Sequence, residues 1–150
     1  MMPFADTSLL GTLYRRQDNS DQADALVESL NGPLGISSLV VLEFRQSARL
    51  QVFRFSKDRT QGAPKAETER MLAALDRNLA AGAWEVIPVD WGDVHSLAER
   101  NSARHTAARS DRALDILHVA TALHAGAKTF VTLDANQAAL AKAEGLRAKP

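Results

Sequence analysis

Four acidic residues are the first side chains in this sequence whose types and positions could do chemistry. Asp6 and Asp134 each follow a short apolar stretch, whereas Glu43 and Asp115 lie where apolar residues recur at helical spacing. The chain has no cysteine and no suitably spaced histidine pair, so these carboxylates would offer a metal only oxygen ligands. Oxygen ligands select a hard cation, Mg²⁺ or Mn²⁺, rather than zinc. Such a site suits phosphate chemistry.

The strands and helices predicted around these acids bring them to one edge of a sheet. Asp6 ends the first predicted strand and Asp134 ends the fourth, and open α/β folds bind ligands at the carboxyl ends of their strands. Glu43 and Asp115 lie in early turns of helices that begin at the same edge. Two carboxylates about 5 Å apart repel by roughly 3 kcal/mol at an effective dielectric constant near 20. We therefore expect a cation within one pocket formed by all four.

Asp115 is the most informative of the four, because a buried helix seldom tolerates an ionisable group without a partner. On its own helical stripe only His118 could offset the charge of Asp115. We therefore expect the compensating charge to come from the metal ion. An ion pair with an arginine such as Arg112 or Arg104 is the structural alternative.

Three hydroxyl side chains, Thr7, Ser8 and Thr132, stand beside the strand-end acids and could orient a ligand or a water molecule. Their alternative role is capping or turn formation, and for Ser8 we favour the helix cap, since the helix is predicted to begin there. We expect His118 to pack or hydrogen-bond structurally rather than to act as a general base.

The size and composition of the chain predict one domain, because 150 residues with 45% hydrophobic content can bury a core of their own. The absence of cysteine and of any leader or long apolar run leads us to expect a cytoplasmic protein without a membrane anchor. Lysine plus arginine and aspartate plus glutamate number 18 each, so net charge does not predict a polyanion partner.

A local basic segment at residues 45–59 is nevertheless a candidate for nucleic-acid contact. It contains one acidic residue, Asp58, and five basic residues, which are Arg45, Arg49, Arg54, Lys57 and Arg59. Arg45 and Arg49 share one face of the predicted helix and are our candidates for nucleic-acid binding. The alternative is a solvated helix face.

The order of predicted elements is that of an α/β protein. Strands are predicted at residues 3–5, 34–37, 84–89 and 128–133, with at most a short fifth at 146–148. Seven helices are predicted. Four have residue ranges, at 20–30, around 44–55 and 71–79, and at 135–143, and the other three begin at Ser8, after a cap at Asp90 and after a cap at Asp111. A loop is predicted at 101–110, and the helix stretch at 114–123 is predicted to be buried. Strands that alternate with helices predict a mostly parallel sheet covered by helices on both faces.

The ordered set of motifs resembles a PIN domain and, within that group, VapC-like toxins of type II toxin–antitoxin systems. The matching residues are Asp6-Thr7-Ser8 after the first strand, Glu43 in the third helix, the run of residues 112–123 with Asp115 and His118, Thr132 with Asp134, and then Gln137, Leu140-Ala141 and Gly145-Leu146. The likeness spans nearly the whole chain and is weakest at residues 45–82. One departure is Asn136, where similar toxins often carry a basic residue.

The resemblance implies a Rossmann-like, three-layer α/β/α fold with a central parallel sheet of four to five strands. It also implies Mg²⁺- or Mn²⁺-dependent endonucleolytic cleavage of RNA by a metal-activated water, with Asp6, Glu43, Asp115 and Asp134 as metal-binding and catalytic residues. A homodimer and a cognate antitoxin that blocks the site are the implied partners.

Three other interpretations are set against this one. A haloacid-dehalogenase-type phosphatase needs a second aspartate two residues after the first, where this chain has Ser8. A receiver-type domain would share the acid cluster but use one aspartate as a phosphate acceptor. A catalytically silent PIN-like module would bind RNA or an antitoxin without cutting. Such a module would not need all four acids, and this chain has all four.

Overall fold

The computed structural model describes residues 2–15 and 19–150, and within these ranges it contains five strands and seven helices. The strands are β1 (Phe4–Ala5), β2 (Leu34–Ile36), β3 (Trp84–Val86), β4 (Thr129–Val131) and β5 (Arg147–Lys149). The helices are α1 (Thr7–Tyr14), α2 (Ser20–Leu30), α3 (Ser38–Lys57), α4 (Lys65–Ala80), α5 (Trp91–Arg109), α6 (Ala113–His124) and α7 (Ala135–Ala143).

The strands form one sheet in the order β3-β2-β1-β4-β5, and their pairings are parallel. The two-residue strand β1 lies at the centre, where Phe4 is in register with Gly35 of β2 and with Phe130 of β4. Parallel neighbours require a crossover between them, and the helices supply it. The expected parallel sheet is confirmed, including the short fifth strand.

Helices cover both faces of the sheet and bury two separate apolar clusters. One cluster contains Ala5 with buried side chains of α1, α2, α3 and α4, and the other contains Phe4 with those of α5, α6 and α7. Successive strand residues point to opposite faces, so Phe4 and Ala5 serve different cores. This arrangement confirms the predicted three-layer α/β/α fold.

Among the described residues, four helices begin with a side-chain cap, and two of these caps are also candidate site residues. Asp6 caps α1 by accepting from Leu9 N at 3.4 Å, and Asp134 caps α7 by accepting from Asn136 N at 2.8 Å. Ser37 and Asp90 cap α3 and α5 in the same way. The expectation that Ser8 caps the first helix is wrong, because the chain turns into the helix one residue earlier, after Asp6.

Helix α5 is longer than the sequence pattern predicts, and the expected loop at residues 101–110 is wrong. Asn101 is 1% exposed and continues the inward face begun by Val94 and Ala98. Alanines at positions 103, 107 and 108 favour the helix despite its polar neighbours. The helix ends only at Ser110, which adopts a left-handed conformation with φ of 58°.

The start of α6 also differs from the prediction. The residue before the helix is Arg112, which makes no side-chain capping bond, so Asp111 is not the cap. Asp111 instead forms an ion pair with Arg109, in which Arg109 Nε lies 3.4 Å from Asp111 Oδ1. Most of the helix is buried as predicted, but Leu114 is 43% exposed.

Strand β3 ends at Val86, three residues before the predicted end. Ile87 still donates to Ile36 O at 2.9 Å, but Pro88 has no N–H to continue the ladder. Separately, no helix among the described residues is both long and apolar enough to cross a bilayer.

Candidate active site

Asp6 is the centre of the site and is held by hydroxyl groups. It is 3% exposed, accepts from Thr132 Oγ1 at 2.6 Å through Oδ2, and accepts from Ser8 Oγ at 2.7 Å through Oδ1. Burial is the largest influence and raises the pKa of Asp6, while the hydrogen bonds from Thr132 and Ser8 and the charge of His118 act against it. The side chain of Asp6 is therefore fixed in orientation.

Ser8 and Thr132 tie the turn after β4 to the start of α1. Ser8 Oγ accepts from Leu133 N at 3.0 Å, and Thr132 Oγ1 accepts from Asp134 N at 3.0 Å. The two hydroxyl oxygens lie 3.1 Å apart. These bonds place Asp134 beside Asp6 at the carboxyl edge of the sheet. Ser8 and Thr132 thus connect the side chain of Asp6 to the backbone of the turn at Leu133 and Asp134.

Glu43 reaches the site from α3 and meets His118 of α6. The distance between Glu43 Oε1 and His118 Nε2 is 2.9 Å. Partial burial acts to raise the pKa of Glu43, but hydrogen bonds from His118 and Thr7 and the charges of His118 and Arg112 outweigh it, so the pKa is lowered. Glu43 is therefore kept ionised.

His118 itself is 2% exposed and lies between two acids. Its Nε2 is also 3.5 Å from Thr7 Oγ1, and its charge acts on Asp6 as well as on Glu43. Its Nδ1 is buried without a hydrogen-bond partner among the described residues. Since a carboxylate only accepts, the proton of a neutral His118 belongs on Nε2, facing Glu43. His118 thus hydrogen-bonds to Glu43 from a buried position.

Asp115 is paired with Arg112, which is the alternative left open by the sequence. Arg112 Nε donates to Asp115 Oδ2 at 3.0 Å, and Arg112 Nη2 lies 3.8 Å from Asp134 Oδ2. The hydrogen bond with Asp115 and the charges of Asp115, Asp134 and Glu43 raise the pKa of Arg112. The expectation that on the helical stripe of Asp115 only His118 could offset its charge is therefore wrong, because Arg112 does so. The Arg112 side chain is 76% exposed, so this ion pair is open to solvent.

Thr132, His118 and Arg112 contact the predicted acids. Thr132 hydrogen-bonds to the side chain of Asp6 and the backbone of Asp134, His118 contacts Glu43, and Arg112 contacts Asp115 and approaches Asp134. Within residues 2–15 and 19–150, however, no three acidic or histidine side chains form a ready-made metal site. The residue types fit Mg²⁺ or Mn²⁺, because the acidic side chains would supply carboxylate oxygens as ligands. The guanidinium of Arg112 contacts Asp115 through Nε at 3.0 Å and approaches Asp134 through Nη2 at 3.8 Å.

The RNA-binding candidates on α3 have different surroundings. Arg45 Nη2 donates to Asp76 Oδ1 of α4 at 2.8 Å, so Arg45 is already part of an ion pair. Arg49 is exposed. The two arginines are therefore unequal as candidates for phosphate contact.

Sequence reasoning missed the dual contact of Arg112, although a signal for it was present. Arg112 stands three residues before Asp115, a spacing that brings side chains together on a helix. Its approach to Asp134 depends on the packing of α6 against α7, and no sequence pattern encodes that distance.

Comparison with known families now adds to this geometry. Residues 4–143 match the family described as PIN domain. A search of curated proteins gave no significant match.

Two solved structures are similar in fold over almost their whole length. FitAcB from Neisseria gonorrhoeae is 18% identical with a TM-score of 0.69, and the match covers 99% of this chain and 97% of that one. VapBC2 from Rickettsia felis, bound to a DNA fragment from their promoter, is 16% identical with a TM-score of 0.67, covering 99% of this chain and 98% of that one. At such low identity the likeness concerns the fold alone.

Proposed function

This chain belongs to the PIN domain family, and from that premise we propose that it is a Mg²⁺- or Mn²⁺-dependent endoribonuclease of the VapC-like toxin kind. The proposed metal-binding and catalytic residues are Asp6, Glu43, Asp115 and Asp134. Thr7, Ser8 and Thr132 are proposed to orient them. A bound divalent ion would supply a Lewis acid and an activated water for phosphodiester hydrolysis.

The observation that carries the proposal is the match of residues 4–143 to the PIN domain family, supported by the hydrogen bonds that join Asp6, Thr132 and the backbone of Asp134. Arg112 contacts both Asp115 and Asp134 through an exposed side chain. A metal ion would therefore have to displace this guanidinium from the two carboxylates. A buried arginine at the same place would have argued for a purely structural ion pair.

Other residues near the proposed site would hold the acids in position. Ser8 and Thr132 fix both oxygens of Asp6, so its orientation is set before any ligand arrives. His118 holds Glu43 ionised and aligned from a buried position. Preorganisation of this kind lowers the cost of bringing the reacting groups into one geometry.

The partners are proposed from the same family likeness. The similarity to VapBC2 supports a cognate antitoxin, and VapC-like toxins imply a homodimer. Leu42 is 61% exposed and shares a groove with Leu39, Trp91 and Leu117, which makes this apolar face the candidate for self-association. Sedimentation of the wild type and of Leu42→Lys measures whether the mass falls to that of one chain.

The experiment that tests the function is cleavage of a labelled RNA in Mn²⁺, with and without excess chelator. We expect cleavage that stops in chelator, and a loss of about 100-fold or more in Asp115→Asn. The matched control is Asp93→Asn, which removes an exposed carboxylate from α5 and should cut normally. Full activity in chelator or in Asp115→Asn would contradict the proposal.

The ends of the products distinguish this mechanism from its main competitor. Attack by an activated water does not use the 2′-hydroxyl, so one 2′-deoxynucleotide at the cut should be tolerated. If His118 instead served as a base for attack by the 2′-hydroxyl, the products would carry 2′,3′-cyclic phosphates and the 2′-deoxy substrate would resist. Metal-dependent RNA binding without any cleavage would favour the silent PIN-like module.

A further inference from the structure

We infer that the cleft between α1 and α3 is a binding site for one nucleobase of an RNA strand, next to the proposed cutting site. This inference rests on the proposed function and deepens it by naming what determines substrate choice. The cleft has a volume of about 440 Å³, within the usual range of roughly 300–1,000 Å³ for small-ligand pockets.

The position of the cleft is the first observation. Thr7, Ser8 and Asp134 line one end of it, and the same residues belong to the acidic site. A strand whose phosphate lies at the acids therefore has its neighbouring nucleotide at the mouth of the cleft. Single-stranded RNA is read through bases that are splayed out of the stack, so a neighbouring base is free to enter.

The lining of the cleft is the second observation. Phe44, Ala48 and Met71 give it apolar walls, while Ser47 and Gln51 of α3 add a hydroxyl and an amide. A flat apolar ring with hydrogen-bonding edges matches this combination. The amide of Gln51 can both donate and accept, as the Watson–Crick edge of a base requires.

Gly11 is the third and independent observation. It lies in the interior of α1 and lines the cleft, and a Cβ built on it would meet no atom within 4 Å. Its backbone does not adopt a left-handed conformation. Glycine in a helix interior is destabilising relative to alanine, so the stability of α1 alone does not favour it here. A glycine at this position leaves the helix backbone open to close approach by a ligand in the cleft.

The test combines a base-deleted RNA series with substitutions of Gly11. The probe is a short fluorescent oligoribonucleotide spanning the mapped cut, with one abasic nucleotide moved along it, bound to the Asp115→Asn protein. We expect one position beside the cut at which loss of the base weakens binding about fivefold or more. Adding Gly11→Leu, which fills the cleft, should abolish the difference at that position only.

Gly11→Ala separates a ligand site from a structural role, because the two effects have opposite signs. The variant should raise the melting temperature by about 2–4 °C while weakening binding of the intact RNA. The matched control is Ala139→Leu on the exposed face of α7, which should leave the abasic profile unchanged.

Two results would overturn the inference. One is equal binding of every abasic RNA, and the other is an unchanged abasic profile in Gly11→Leu. If Gly11→Leu left RNA binding intact but abolished binding of a protein partner, the cleft would be a protein-docking surface instead. Failure of the wild type to cut any RNA in Mn²⁺ would refute the proposed function separately. The abasic series would then be run on an uncut RNA that the Asp115→Asn protein binds, and one position at which base loss weakens binding would still support the cleft.

Discussion

At the scale of single residues, two side chains of the α6 region contact the predicted acids. Arg112 lies between Asp115 and Asp134, and His118 lies against Glu43. The positions of the acids could be predicted because each follows a strand or opens a helix. Their partners could not, since those contacts depend on side-chain directions after packing.

Removing Arg112 should strengthen metal binding. If Mn²⁺ and the guanidinium compete for the same carboxylates, Arg112→Gln removes the competitor, and the Kd for Mn²⁺ should fall about two- to fivefold, as expected for an exposed ion pair. Calorimetric titration measures this. Arg109→Gln, which removes a charge paired with Asp111 instead, is the control and should change the Kd less. Weaker Mn²⁺ binding in Arg112→Gln would mean that Arg112 positions Asp115 rather than competing with the ion.

The buried carboxyl of Asp6 should make the metal-free protein sensitive to pH. Because burial raises the pKa of Asp6 above 3.8, the folded state favours the protonated acid. That stabilising contribution is present at acidic pH and is lost as the pH rises through the raised folded pKa. The melting temperature of Asp6→Asn minus that of the wild type, measured in chelator, should therefore become more positive from about pH 4 to about pH 8. A difference that shrinks over this range would contradict the burial effect. A constant offset would also contradict it, since it would report only the hydrogen bonds that an asparagine side chain cannot replace.

At the scale of elements, sequence patterns predicted helices correctly where apolar residues recur at regular spacing. They failed where polar residues face the core. Helix α2 was predicted with its observed bounds of Ser20–Leu30. The second half of α5 was predicted as a loop, because its inward face uses Asn101 and His105 rather than apolar residues. His105 lies 3.0 Å from Glu144, an interaction between α5 and the end of α7 that only the folded chain reveals.

The two candidate arginines of helix α3 should contribute unequally to RNA binding. Arg49 is exposed, whereas Arg45 is paired with Asp76. Arg49→Ala should therefore lower the salt dependence of RNA binding by about one counterion, and Arg45→Ala by less. Fluorescence titration of Asp115→Asn with a labelled RNA at several salt concentrations measures both slopes. If neither slope changes, both arginines belong to a solvated helix face.

At the scale of the whole molecule, the parallel sheet explains how acids far apart in the sequence share one edge. The central pairing of β1 with β4 aligns Ala5 with Val131, so that Asp6 and the Thr132–Asp134 turn leave the sheet together. The alternation of strands and helices was enough to predict this convergence. It could not predict how far apart the carboxylates rest, which depends on the angles at which α3 and α6 pack.

The measurement that tests the central claim most directly is calorimetric titration of Mn²⁺ into the wild type and into Asp6→Asn, Glu43→Gln, Asp115→Asn and Asp134→Asn, with Asp93→Asn as the control. If the four carboxylates form one metal site, each of the four substitutions should weaken Mn²⁺ binding, and Asp93→Asn should bind as the wild type does. Among the four proposed metal-binding residues, we propose Asp6 and Asp115 as the most direct ligands, so loss of affinity should be greatest for Asp6→Asn and Asp115→Asn. A wild type that binds no Mn²⁺, or an Asp115→Asn protein that binds it unchanged, would contradict the site proposed for this molecule.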